Sequence, residues 1–375
     1  MASSADQQHR LPTPYCTTSA PPPTPSAQPN HSTSEAADAL SRLLHRLPPT
    51  LSLSLPSRRS SPPTTITTPP TIYLSDPIPA LHTNLLSASQ LGFFQLTHHS
   101  IPSHLAHSAE SESLSLFNLP HDRKQQYFTK NWPLGFDFDD EDDESGSGES
   151  FCLDSSCSTE STELNLTSLR KFTLEMEKVG LEVIEALSCA IGFENPVRED
   201  PTRVSSLMWI SEGSTGNNKP GPVVSGRFYP YVVGLHYQIR CQKYSMLADS
   251  GWVCVSPQVD SVLVTLGDIA QVWSNGKLRK VRGRPAPNLG DGNHPHTISM
   301  SLLMTLPVDS TVSPLLLPRA TGSNKQDEAN REDNGDCDNT IEERVLFNSF
   351  SFEDYAWRVY HEQIILKDPL ARYRV

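Results

Sequence analysis

The chain has 375 residues, 36% of them hydrophobic, with 32 prolines and a formal net charge of −13. That length suits one large domain with appendages, and the acidity excludes a general nucleic-acid binder, which needs a basic surface to displace counterions from phosphate. No apolar run approaches the about 20 residues of a membrane span, and the cysteines form no paired framework, which points to a reducing, cytoplasmic setting.

Residues 1–70 are rich in Pro, Ser and Thr, with PPPTP at 21–25 and SPPTTITTPP at 61–70. Such a segment buries too little apolar surface to offset its ordering entropy, so a disordered extension is expected, with Ala36 to Leu47 as a short amphipathic helix. Few acids and several arginines before Pro63 make a plastid address the alternative to the cytoplasm.

An N-terminal region follows over 71–200. Thr71 to Ser75 reads as a strand. Ala80, Leu81, Leu85, Ala88 and Leu91 fall at helical spacing, and Leu91 to Pro102 (LGFFQLTHHSIP) as strand and turn. His98 and His99 invite a metal reading, against which a structural role is favoured. Asp137 to Glu149 opens an acidic loop that extends to 163. It lacks the glycine and terminal glutamate spacing of a calcium loop, and a solvated loop is expected. Cys152 and Cys157 form a close pair with no second pair nearby, which argues against zinc. Leu166, Leu169, Phe172, Met176, Val179, Val183, Leu187 and Ile191 make one helical stripe, with Lys171–Glu175 and Lys178–Glu182 outside it and Gly192 as its stop.

From 201 to 318 the pattern changes to short strands: Ser206–Ile210, Val223–Val233, His236–Leu247, Trp252–Val255, Val262–Thr265, Ile269–Trp273, Lys280–Arg282 and Ile298–Leu306. Short strands after a helical part imply an α+β fold with a double-stranded β-helix (jelly-roll) core, flanking N-terminal helices and a C-terminal helix. Within this core, Gly267-Asp268 reads as a turn and Ser274-Asn275-Gly276 as a hairpin returning on the basic arm Lys277 to Arg284. Residues 319–344 read as a disordered acidic insert, and 345–375 as a helix that closes the core with Phe352, Tyr355, Val359, Ile364 and Leu366.

The stretch Gly267, Asp268, Gln271, Val272, Trp273, Ser274, Asn275, Gly276, Lys277 and Arg284 resembles the plant-type 2-oxoglutarate and Fe(II)-dependent dioxygenases, gibberellin oxidases among them. LGFFQLTHHSIP is similar to their WGFFQVVNHGIP, and Leu119-Pro120 with Lys124 and Tyr127 to their LPxExKxxY. The resemblance implies a jelly roll, and a histidine at position 99 kept for structural reasons. It also implies Fe(II) held by a His-x-Asp and a later histidine, and 2-oxoglutarate gripped by an Arg-x-Ser.

At those positions this chain departs from the family. Ungapped counting back from Gly251-Trp252 puts His-x-Asp on Gly226, Arg227 and Phe228, and the later histidine is Gly283. Arg-x-Ser has become Thr297-Ile298-Ser299. No Asp or Glu occurs between Gly213 and Asp249. Rescue ligands would have to come from His236, in His236-Tyr237-Gln238, and from His294 and His296. The expectation is therefore no catalytic residue, no metal and no cofactor. Ser299 and Arg284 remain as candidate cofactor-binding residues, and Arg282 or Arg284 could form an anion site where iron would sit. Expected partners are a small anionic ligand or a protein, with neither nucleic acid nor membrane. The rival expectation is an active dioxygenase, using Fe(II) and 2-oxoglutarate to oxidise a small plant metabolite such as a gibberellin-like acid.

Overall fold

The computed structural model describes residues 66–138, 149–161, 163–213, 229–287, 297–315, 345–362 and 368–375. The first elements are strands β1 (Ile66–Thr67) and β2 (Thr71–Ile72), helix α1 (Ile78–Ser89), β3 (Phe93–Leu96), and helices α2 (Ser103–Phe117) and α3 (His121–Tyr127). Strands β4 (Gly135–Asp137) and β5 (Ser150–Asp154) lead to the long helix α4 (Thr167–Ile191). The core strands are β6 (Ser205–Gly213), β7 (Val233–Tyr237), β8 (Tyr244–Ala248), β9 (Gly251–Val255) and β10 (Val262–Leu266). After helix α5 (Asp268–Trp273) come β11 (Val281–Pro287), β12 (Thr297–Thr305), β13 (Thr311–Val312), β14 (Phe350–Ser351) and helix α6 (Phe352–Glu362). Residues from Pro63 to Val375 form one compact unit.

Two sheets make the core. The larger has the order β2-β3-β10-β7-β12-β6-β5-β4 and the smaller the order β1-β9-β8-β11. The pairs β1–β9 and β2–β3 are parallel, and the other ladders are antiparallel. Helix α4 lies on the outside of the large sheet. Its stripe Leu169, Phe172, Met176, Val179, Val183 and Leu187 is buried against outward residues such as Val264, Leu235 and Leu302. It ends where the periodicity predicts, at Gly192, whose left-handed conformation lets the backbone leave the helix. On its exposed side Lys178 pairs with Glu175 at 2.7 Å, and among the described residues neither of the two expected i,i+4 pairs forms.

Several expectations need correction. Ile269–Trp273 is not a strand but lies in α5, because a run of five apolar-rich residues carries no period to tell the two apart. Asp268 sits in the first turn of that helix, where its charge suits the helix dipole. Ser274-Asn275-Gly276 is accordingly a helix stop rather than a hairpin. Asn275 and Gly276 take φ of 50° and 81°, and the Gly276 N–H donates to the Gln271 carbonyl at 2.8 Å. Successive positive φ angles serve either structure, so the dipeptide alone does not decide. Gly267 has φ −100°, not the positive φ of a glycine turn. Glycine is required there by proximity, since a Cβ would lie 2.0 Å from the Tyr231 carbonyl oxygen. His236–Leu247 is not one strand but the end of β7, a turn, and β8. The return strand after the stop begins at Val281, one residue later than expected. The C-terminal helix is shorter than expected. A 3-10 turn at Pro369–Tyr373 follows, and Phe352, Tyr355 and Val359 are buried as foreseen. Of the expected extension 1–70, residues 66 and 67 form β1 and 1–65 lie outside the described residues, as do most of the acidic run, the insert 319–344, Ile364 and Leu366.

Candidate functional site

Alternation along the central strands of the large sheet sorts their side chains into two sets. Val233, Leu235 and Tyr237 of β7 face α4, and the Tyr237 ring meets Phe172 at 5.8 Å. Gly234 and His236 face the other way, toward the small sheet. They share that inner face with Leu263 and Thr265 of β10 and with Ser301 and Leu303 of β12, which stand directly opposite them. From the small sheet, Tyr244, Met246, Ala248 and Val281 pack against Phe93 and Leu263.

His236 is buried, and its Nδ1 lies 2.6 Å from the Ser301 hydroxyl. The strand reaches its end at His236-Tyr237-Gln238. Gln238 is also buried and donates from Nε2 to the His236 carbonyl at 3.1 Å. Deeper along the face, the Tyr231 hydroxyl is 3.2 Å from the Thr265 hydroxyl. Gln95 of β3 is saturated. Its Nε2 donates to the Pro69 carbonyl and the Thr71 hydroxyl, and its Oε1 accepts from the Gln258 N–H and the Ser261 hydroxyl. Ser299 is buried opposite Ser211 of β6. Among the described residues, the polar groups of this interior are thus hydroxyls, amides and one imidazole.

Other charged or titratable candidates are engaged elsewhere. His99 Nδ1 accepts from the Ile101 N–H at 3.3 Å, so Nε2 carries the proton it donates to the Asp260 carbonyl at 2.9 Å. Both nitrogens are therefore structural, and burial pulls the imidazole pKa down. Tyr237 donates to Asp260 at 3.2 Å, and burial, followed by the charge of Asp260, holds its phenol well above the usual range. Lys280 is fully buried, with Nζ 2.5 Å from Asp268 and 2.6 Å from Asp368. Burial works to raise the Asp368 carboxyl, but Lys280, the Leu370 N–H and the field of Arg282 outweigh it and hold it below the ordinary aspartate range. Two residues of the expected basic arm therefore serve the C-terminal turn.

Of the residues singled out from the sequence, the structure brings His236 to the inner face, near Gln238, and Ser299 to the same face of β12. Gly283 lies on β11. Gly226, Phe228, His294 and His296 lie outside the described residues, as does the side chain of Arg284. His236-Tyr237-Gln238, ten residues beyond the ungapped count, lies at the end of β7. Nothing in the sequence reading singled out Ser301 or Gln95, and Lys280 figures there only as part of the basic arm. The alternation of serines with Ile298, Met300 and Leu302 marked Ser301, and a lysine flanked by Leu278 and Val281 marked Lys280.

Ferrous iron on this fold requires two imidazoles and a carboxylate on one face. Among the described residues the inner face offers one imidazole, several hydroxyls and neutral amides, and no group of three His, Cys, Asp or Glu side chains comes together. Residues 214–248 contain no Asp or Glu, so neither β7 nor the turn after it supplies a carboxylate beside His236. This donor set does not fit the ion.

Residues 70–152 match the N-terminal family model described as non-haem dioxygenase in morphine synthesis. A rice (Oryza sativa subsp. japonica) gibberellin 2-beta-dioxygenase 6 is 26% identical over 233 residues, 54% of this chain and 61% of its own length. Feruloyl CoA ortho-hydroxylase 2 of Arabidopsis thaliana is 24% identical over 249 residues, 61% of this chain and 67% of its own length. The chain thus spans less than two thirds of the rice relative. A rice dioxygenase for auxin oxidation shares the fold, with a TM-score of 0.59 at 18% identity over 82% of this chain and 99% of that one. The matched N-terminal region and these relatives support the plant-type 2-oxoglutarate/Fe(II) dioxygenase superfamily, and the two-sheet core has the fold of the rice structure.

Proposed function

We propose that this protein is a binding or regulatory module on the dioxygenase fold, one that has given up iron and 2-oxoglutarate turnover. The supporting observation is the end of β7, where an imidazole is followed two residues later by an amide, with no acidic residue in 214–248. A neutral amide oxygen lacks the charge that helps hold a ferrous ion against water, and a lone imidazole does not replace the missing ligands. His236 is instead engaged with Ser301, as a packed interior polar group would be. The module would act in the cytoplasm on a small ligand or a protein partner.

The test uses the purified full-length chain with Fe(II) and 2-oxoglutarate under anaerobic conditions, followed by admission of air. The expected result is substoichiometric iron, no metal-to-ligand charge-transfer absorption and no succinate above background. One iron per chain with that absorption would overturn the proposal in favour of an active dioxygenase. Oxidation of a gibberellin-like acid would then be the next assay.

A further inference from the structure

We infer that the outer face of α4 is the seat of a two-fold dimer, packed antiparallel against the same face of a second copy of this chain. The inference is independent of what the inner face of the large sheet holds. Leu174 is 43% exposed, and with the half-buried Leu181 it lines a groove of about 290 Å³ rimmed by Lys171, Glu175, Glu177 and Lys178. The two leucines stand two turns apart, on one side of the helix face that points away from the sheet. Along the other side of that face run Lys171, Glu175, Lys178 and Glu182, alternating in sign at helical spacing.

This pattern reads alike in both directions. Turned end for end about a point near Glu177, Leu174 comes opposite Leu181 of the second copy, Lys171 opposite its Glu182, and Glu175 opposite its Lys178. Each contact then occurs twice, as an interface of one patch with itself requires. Charge selects this occupant. The chain has a net charge of −13, so two copies repel over most of their surface, whereas on this face Lys171 and Lys178 cancel Glu175 and Glu182. An acidic partner would be opposed by the two glutamates and a basic one by the two lysines, while the same alternation reversed satisfies all four. Lys178 already reaches Glu175 at 2.7 Å and is 63% exposed, so at the two-fold axis two such pairs meet crosswise, each lysine between two carboxylates. A contact of about three helical turns is small beside the about 1,200 Å² at which stable interfaces begin, so the dimer forms at micromolar concentrations and dissociates on dilution.

The test is sedimentation velocity of the purified full-length chain from low to high micromolar concentration. The expected result is a mass that rises from one chain toward two, with association about tenfold or more weaker in Leu174→Glu. Lys171→Glu and Glu182→Lys should each stay monomeric alone, because like charges then face each other. An equimolar mixture of these two variants should dimerise as the wild type does, because every pair across the axis is again of opposite sign. Lys171 and Glu182 are both exposed, so these two variants should melt close to the wild-type temperature. Should Leu174→Glu melt well below it, the charge exchange alone decides. A monomer at every concentration would overturn the inference, and the groove would then serve a different partner. A dimer indifferent to the charge reversals, or a mixture that fails to restore what each reversal removes, would overturn it equally.

Discussion

The two faces of the large sheet are built on different terms. Outside, α4 meets β7, β10 and β12 through side chains such as Phe172, Met176, Leu235 and Val264, each contributing about 2 kcal/mol by leaving water. Inside, the same strands present His236, Gln95, Thr265 and Ser301, whose hydrogen bonds each yield a net of only about 1 kcal/mol. The outer layer tolerates any apolar residue of suitable size. The inner layer depends on each polar group finding its partner, and so it records more closely what the molecule binds. Among the described residues the inner polar groups mostly partner one another.

The largest expected effect tests how rigid the floor of the inner layer is. Gly267→Ala would drive a Cβ to within 2.0 Å of the Tyr231 carbonyl oxygen, which is backbone and has nowhere to yield. Tyr231 also supplies a hydroxyl to the inner face, so the strain would pass directly into it. A loss of about 3 kcal/mol or more is expected in denaturant unfolding. A loss under about 1 kcal/mol would show that the inner layer gives way as easily as the outer one.

The outer layer was readable from the sequence because it follows one period, and the α4 stripe and its Gly192 stop stand where spacing put them. The strand β10 was equally plain, as five residues buried on both faces. The inner layer was less legible for two physical reasons. Ile269 to Trp273 is five residues with one polar member, Gln271, too short for its pattern to separate helix from strand. Counting back from Gly251 passes through the turn between β7 and β8, whose length no periodicity encodes. The count fell on Gly226, outside the described residues, while His236 stands at the end of β7. Pairings such as Lys280 with Asp368, 88 residues apart in sequence, are invisible until the chain is folded.

The next effect in size concerns the ionic cluster that ties the C-terminal turn to the small-sheet side. Lys280→Met would leave Asp268 and Asp368 facing each other without their shared cation, at a cost of about 3 kcal/mol at neutral pH. Asp368 has its pKa depressed in the folded state, so its contribution is complete above the ordinary aspartate range and is lost as pH falls through the lower, folded value. Wild-type stability should therefore drop on acidification below about pH 4, and the drop should be shallower in Lys280→Met. Parallel pH profiles of the two proteins would refute this role for Lys280.

The smallest effect separates the two functional readings most sharply. Ser301→Ala removes the hydroxyl 2.6 Å from His236 Nδ1 and should cost about 1–2 kcal/mol, as expected for a buried polar atom stripped of a partner. If His236 is only an interior polar group, the double change His236→Leu with Ser301→Ala should recover most of that loss, because both ends of the bond vanish together. The cycle would then show a coupling of about 1 kcal/mol, and iron content would be the same in all four proteins. If His236 serves a metal, the double variant would regain stability yet lose iron that Ser301→Ala alone retains. Thermal melts and iron assays on the same four proteins decide the matter, because a hydrogen bond and a coordination bond respond oppositely to removal of the serine.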